Sequence, residues 1–206
     1  RADFTISVTE EDIQKEAQLT EEKISYLNRI VAAYQRKFCE HIYAKDAFLM
    51  HAALISVDDN GIAFLAKSGT GKTTHTLLWK KLLGERLTII NGDKPIIRII
   101  DGKAFAYGTP WCGKEGFSEN KKVKLSHICF IKRSLDLKTV SIEKQEGIEA
   151  LLNQIYLPKS AKGVARTLEL ADEMLKSCKM WEIYCSKDIK SAEIAYDTIS
   201  EAKVDK

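Results

Sequence analysis

The chain has 206 residues, 45% of them hydrophobic, which suits one domain with a core that needs no disulfide or metal to hold it. Its 32 Lys and Arg against 29 Asp and Glu leave a formal charge of +3. That near balance excludes the basic footprint of a dedicated duplex binder, so no nucleic-acid partner is expected, while a small local anionic ligand stays compatible.

Only 3 Pro and 11 Gly, without repeats, argue against a disordered or collagen-like chain. The 5 Cys form no C-x-x-C and no zinc-finger spacing with His. They read as reduced thiols in a cytoplasmic protein. The longest mostly apolar run, 47–57, is too short to span a bilayer, so no membrane association is expected. The opening from Arg1 does not read as a basic-then-apolar leader.

In chain order, Ile24, Leu27, Val31, Tyr34, Phe38 and Ile42 recur at steps of three and four. They predict one packing helix over 20–44, with Thr20 as N-cap and Glu21 and Glu22 in its first turn. Residues 1–46 thus read as an N-terminal helical segment packed on a core of 47–206. Ala47–Val57 reads as an apolar strand, Asp58-Asp59-Asn60-Gly61 as a hairpin turn, and Ile62–Ala66 as the second strand. A loop at Lys67–Gly71 leads to a helix, Lys72–Leu83, stopped by Gly84. Leu87–Asn91 reads as a strand, and Ile96–Ile100 with Ala104–Tyr107 as a hairpin turning at Asp101-Gly102. An irregular loop, 108–116, precedes a short strand at Ile128–Ile131. Helices are expected at Gly147–Leu157, Ala161–Cys178 and Asp188–Ala202, with a strand at Trp181–Cys185. Strands and helices mix without strict alternation, which predicts an α/β fold other than a simple doubly wound sheet.

The strongest chemical signal is Ala66-Lys67-Ser68-Gly69-Thr70-Gly71-Lys72-Thr73, a Walker A pattern from its second glycine onward, with Ala66 at the usual first Gly. Gly69 and Gly71 let the backbone curl so that N–H groups face phosphate oxygens. The helix from Lys72 adds its positive end. Lys72 is expected to reach the β- and γ-phosphates, and Thr73 to offer a hydroxyl to Mg²⁺. Asp93 follows an apolar strand 21 residues after Lys72, where an acid that holds the metal belongs. His51, inside an apolar strand, reads first as a core residue. Direct pairing of the two hairpin strands, however, would bring it beside the phosphate loop and keep a catalytic role open. Gly108–Gly116 either caps the core or folds over a ligand, with Lys114 as a cation for a transferring phosphoryl group.

Taken together, His51, the hairpin, Ala66–Thr74, Asn91-Gly92-Asp93-Lys94-Pro95 and Gly108–Glu115 resemble the HPr kinase/phosphorylase and phosphoenolpyruvate carboxykinase-like P-loop group. The resemblance covers roughly Phe48 to Arg133. It implies a carboxykinase-like fold: a mixed sheet with a β-hairpin leading into the P-loop and helices on the faces. It also implies ATP- and Mg²⁺-dependent transfer of phosphoryl to a hydroxyl, usually serine, of a protein, peptide or small molecule. On this sequence it places Lys67, Ser68, Gly69, Thr70, Gly71, Lys72, Thr73 and Thr74 around the nucleotide, and Thr73 and Asp93 at the metal. Asp93 would be the base, His51 its orienting partner and Lys72 the catalytic cation. Gly113, Lys114 and Glu115 would meet the acceptor. Relatives also suggest a homo-oligomer. The family often has two acids in tandem; here Gly92 occupies the first position, so one Asp would serve two jobs. Two other readings stand beside a hydroxyl kinase: a nucleotide-binding regulatory or partner-binding module without transfer, and a small-metabolite kinase, which the hairpin fits badly.

Overall fold

The computed structural model describes residues 2–19 and 24–202. Two helices come first, α1 (Glu10–Gln18) and α2 (Tyr26–Ile42). The predicted 20–44 helix is corrected at its start. Ser25 is the N-cap, its hydroxyl accepting from the Asn28 N–H, and Thr20 to Glu22 lie outside the described residues. The sequence reading missed α1, although Thr9 and Asp12 form a reciprocal capping box there. The packing face of α2 is also corrected. Ala33, Gln35, Cys39 and Ile42 are buried, whereas Leu27 is 72% exposed and Val31 and Tyr34 are open to solvent. Ala33 borders a groove shared with Asp12 and Glu16 of α1, and Arg36 forks onto the buried Glu16. Phe38 packs edge-on against Trp111 at 5.3 Å.

The single apolar strand expected at 47–57 is two strands, β1 (Ala47–Leu49) and β2 (Ala53–Val57). β2 turns back into β3 (Asn60–Leu65) with Val57 opposite Asn60. The two-residue turn is therefore Asp58-Asp59, with φ of 47° and 62°, and Asn60-Gly61 already belong to the strand. That is the turn geometry whose twist matches a hairpin. β3 runs into the glycine loop and α3 (Lys72–Leu83), which Gly84 ends at φ 55°. β4 (Leu87–Asn91), β5 (Ile96–Ile100) and β6 (Lys103–Tyr107) follow as expected within a residue.

The short strand expected at 128–131 is instead the 12-residue β7 (Lys122–Arg133). Its length lets it pair with β6 near its start, β3 along its middle and β9 toward its end. An unforeseen β8 (Lys138–Ser141) precedes α4 (Lys144–Leu152), α5 (Ala161–Ser177), β9 (Lys179–Cys185) and α6 (Lys190–Glu201). The helix expected to reach Leu157 stops at Leu152, because the chain turns at 153–154 and then pairs with the 49–51 segment: His51 N–H donates to Gln154 O at 2.7 Å and Tyr156 N–H to Leu49 O at 3.0 Å.

Among the described residues, nine strands form one sheet in the order β1-β5-β6-β7-β3-β2-β4, with β9 and β8 beyond β7. β3, β7 and β9 are parallel and the other pairs antiparallel, so the sheet is mixed. It also curls, since β1 and β2 are one run of chain, as are β4 and β5, and each run pairs with the other. One apolar layer joins Phe48, Leu54, Leu65, Ile97 and Leu125 to Leu170 and Met174 of α5. The opposite layer joins Ile55, Phe64 and Ile183 to Trp79 of α3 and Ile199 of α6. Trp79 is fully buried; removing such a side chain costs about 3–5 kcal/mol.

Candidate active site

The two paired runs, 47–57 and 87–100, lose their ladder at the same level. β1 meets β5 with Leu49 opposite Ile96, and β2 meets β4 with Leu54 opposite Asn91. Between them Met50 N–H donates to Pro95 O at 3.1 Å and Ala52 N–H to Asp93 O at 2.9 Å. This break holds His51 on one run and Asp93 on the other. His51 is thus not in a strand as expected; it sits in the gap, where its side chain is free of the pleat.

Asn91 fixes the turn that presents Asp93. Its Oδ1 accepts from the N–H groups of Asp93 (3.0 Å) and Lys94 (2.7 Å), and its Nδ2 donates to Thr109 O at 2.9 Å. This is the local side-chain turn that Asn favours. His51 Nε2 then lies 3.2 Å from Asp93 Oδ1. The same nitrogen lies 2.9 Å from Lys72 Nζ, which also donates to Ala66 O at 3.1 Å. The other carboxylate oxygen of Asp93 takes the Lys94 ammonium. Burial raises the Asp93 pKa, but the neighbouring His51 and Lys94 groups outweigh it and hold the carboxyl at about 2. Burial lowers the Lys72 pKa; the opposing pull of Asp93 is smaller.

Lys72, His51, Asp93 and Lys94 therefore form a chain of contacts at one end of the glycine loop. The sequence reading missed Lys94 as a site residue. Its ammonium is 6.0 Å from the centre of the Tyr156 ring, a second residue that was missed. The sequence signals for this corner were the acid after an apolar strand and the Asn91-Gly92-Asp93-Lys94-Pro95 stretch, in which Lys94 was given no role. Gly69 and Gly71 have φ of 75° and 119°. Lys67, Ser68 and Thr74 are exposed, and Thr70 and Thr73 are half-buried.

The 108–116 loop is stapled to this corner by its first half. Thr109 Oγ1 donates to Lys94 O at 2.7 Å, and Lys94 N–H donates to Trp111 O at 3.1 Å. A Cβ on Gly92 would stand 2.5 Å from Cys112 O, and one on Gly113 would stand 3.2 Å from Asp93 Cβ. The absence of a side chain at 92 is thus a packing requirement here. Gly113 reaches Asp93, whereas Lys114 and Glu115 extend into solvent.

On the other side of the glycine loop lies a cavity of about 510 Å³, walled by Thr70, Gly71, Arg133, Leu135, Ser186 and Lys187 among others. No helix among the described residues is long and apolar enough to cross a membrane.

No protein-family model matches the sequence. No curated protein matches it either. Among solved structures the chain is similar to the HPr(Ser) kinase/phosphatase from Coxiella burnetii, at 12% identity over 61% of this chain and 98% of that one, with a TM-score of 0.35. The likeness is distant, and the chemistry of the site rests on its own geometry.

Proposed function

We propose that this chain binds a nucleoside triphosphate, ATP in the simplest case, and transfers its terminal phosphoryl group to a hydroxyl on a protein, peptide or small molecule. The observation that carries this reading is the convergence of His51, Lys72 and Asp93 at one end of a glycine loop that opens a helix. Backbone N–H groups and the helix end would hold the phosphates, with Lys72 turning from His51 to the β/γ pair. The cavity beyond Thr70 and Gly71 has room for the nucleoside, which points the terminal phosphate toward Asp93.

Asp93 is ionised and its basicity is low, so its part is to orient the attacking hydroxyl rather than to strip it early. His51 steadies that carboxylate, and Lys94 neutralises its second oxygen. The Thr73 hydroxyl and the Asp93 carboxylate are the hard oxygen donors that Mg²⁺ takes. When bound, that ion would supply charge neutralisation across the β- and γ-phosphates.

The test is incubation with γ-labelled ATP, Mg²⁺ and hydroxyl acceptors, beside Lys72→Ala. Label transfer by the native chain and none by the variant supports the reading. Tight binding without transfer or hydrolysis would replace it with the regulatory module, a reading motivated by Gly92 at the first of the tandem acid positions.

A further inference from the structure

Arg133 ends β7 and reaches across to the loop that follows the neighbouring strand β3. Its Nε donates to Thr70 O at 2.8 Å, and a terminal nitrogen donates to Gly69 O. The 69–70 peptide is held from both sides, because Thr70 N–H closes a turn onto Lys67 O at 3.1 Å. The 70–71 peptide is held by its carbonyl alone. In a trans peptide the N–H points opposite to the C=O. Anchoring Thr70 O toward Arg133 therefore aims Gly71 N–H away from it, to the inside of the loop. Gly71 has φ 119°, a region with few steric limits, so nothing local keeps that peptide from flipping. A rigid planar guanidinium can hold two successive carbonyls at once, which a single ammonium does less well.

We propose that Arg133 is a positioning residue that fixes the 69–71 peptides so that the loop presents Gly71 N–H to a phosphate. This rests on the nucleotide reading above. Arg133 acts from outside the loop and needs no contact with the phosphate itself. Its side chain is exposed and belongs to neither apolar layer, so its replacement leaves the core intact.

The experiment measures binding of MgATP and of inorganic tripolyphosphate to the native chain, Arg133→Met and Arg133→Lys by calorimetry. Amide exchange at Thr70, whose N–H is bonded to Lys67 O, is followed in the ligand-free proteins. Arg133→Met is expected to weaken both ligands by the same factor, about tenfold, the worth of one charge-assisted hydrogen bond. Thr70 exchange is expected to speed up without a change in melting temperature. Arg133→Lys is expected to stay closer to the Met variant than to the native chain. Full recovery by Lys would overturn the proposal, since charge alone would then suffice. Weakening of MgATP but not of tripolyphosphate would assign Arg133 to the nucleoside and overturn it too, as would unchanged affinity with unchanged exchange. A native chain that binds neither ligand would instead remove the nucleotide reading, and this proposal with it.

Discussion

Lys72 Nζ lies 2.9 Å from His51 Nε2, the same nitrogen that faces Asp93 at 3.2 Å. An ammonium offers only hydrogens and a carboxylate only lone pairs, so one ring nitrogen cannot serve both. With Lys72 on His51, Nε2 is bare and the proton is on Nδ1. When Lys72 turns to a phosphate, the Nε2–H form donates to Asp93. Nitrogen NMR of His51 should therefore report a change of tautomer when a non-hydrolysable ATP analogue is added. In Lys72→Met the Nε2–H form should be present without nucleotide. The same tautomer in all three samples would refute the exchange.

Asp93→Asn should cut phosphoryl transfer by about 10² or more. The carboxyl, held at about 2, stays ionised above pH 3, so the native rate should show no acidic limb from this residue in the range from 4 to 8. Single-turnover rates across that range check both statements. Native turnover in the Asn variant would remove Asp93 from the mechanism.

Restoring a tandem acid should damage the site. Gly92→Asp or Gly92→Ala places a Cβ 2.5 Å from Cys112 O, so the 111–113 segment must move away from Asp93. The expected loss is about 1–3 kcal/mol in urea unfolding, the usual cost of overpacking, together with reduced transfer. A Gly92→Asp variant as stable and more active than the native chain would contradict the packing account.

Two buried His–Trp pairs set a pH dependence of stability. Trp79 Nε1 donates to His75 Nε2 at 2.9 Å, and Trp181 Nε1 donates to His127 Nδ1 at 3.1 Å. Burial lowers each imidazole from 6.5 to about 4. Between those values the unfolded chain binds the protons and the folded chain does not. The stabilisation is therefore complete above pH 6.5 and is lost as pH falls toward 4, by at most about 3 kcal/mol per ring. Urea midpoints at pH 7 and pH 4.5 measure this, and His127→Gln should flatten the slope. A midpoint that does not move with pH would count against it.

Much of the chain was legible because local signals agreed. Gly84 stopped α3, Asp101-Gly102 made its turn, and the β3–loop–α3 run announced itself. His51, Lys72 and Asp93 were found from chain order, and the fold brings them together. What stayed hidden depended on tertiary neighbours. The break at 50–52 is invisible in an apolar run, because its cause is the matching break at 92–95. The stripe on α2 showed amphipathicity without showing that Ala33 and Cys39 are among the residues it buries. Lys94 carried no pattern of its own, and Arg133 acquires meaning only where β7 ends beside the glycine loop.

The shared break has a mechanical consequence. Because the two runs are paired above and below it, the separation of His51 from Asp93 is set by four strands acting as a frame, not by either turn alone. A one-residue insertion in β1 or β5 would reverse the inward and outward faces of that half while leaving β2 and β4 in register. The frame would then be skewed across its centre. Tolerance to length change should accordingly be low in all four strands, although none of them carries a catalytic group.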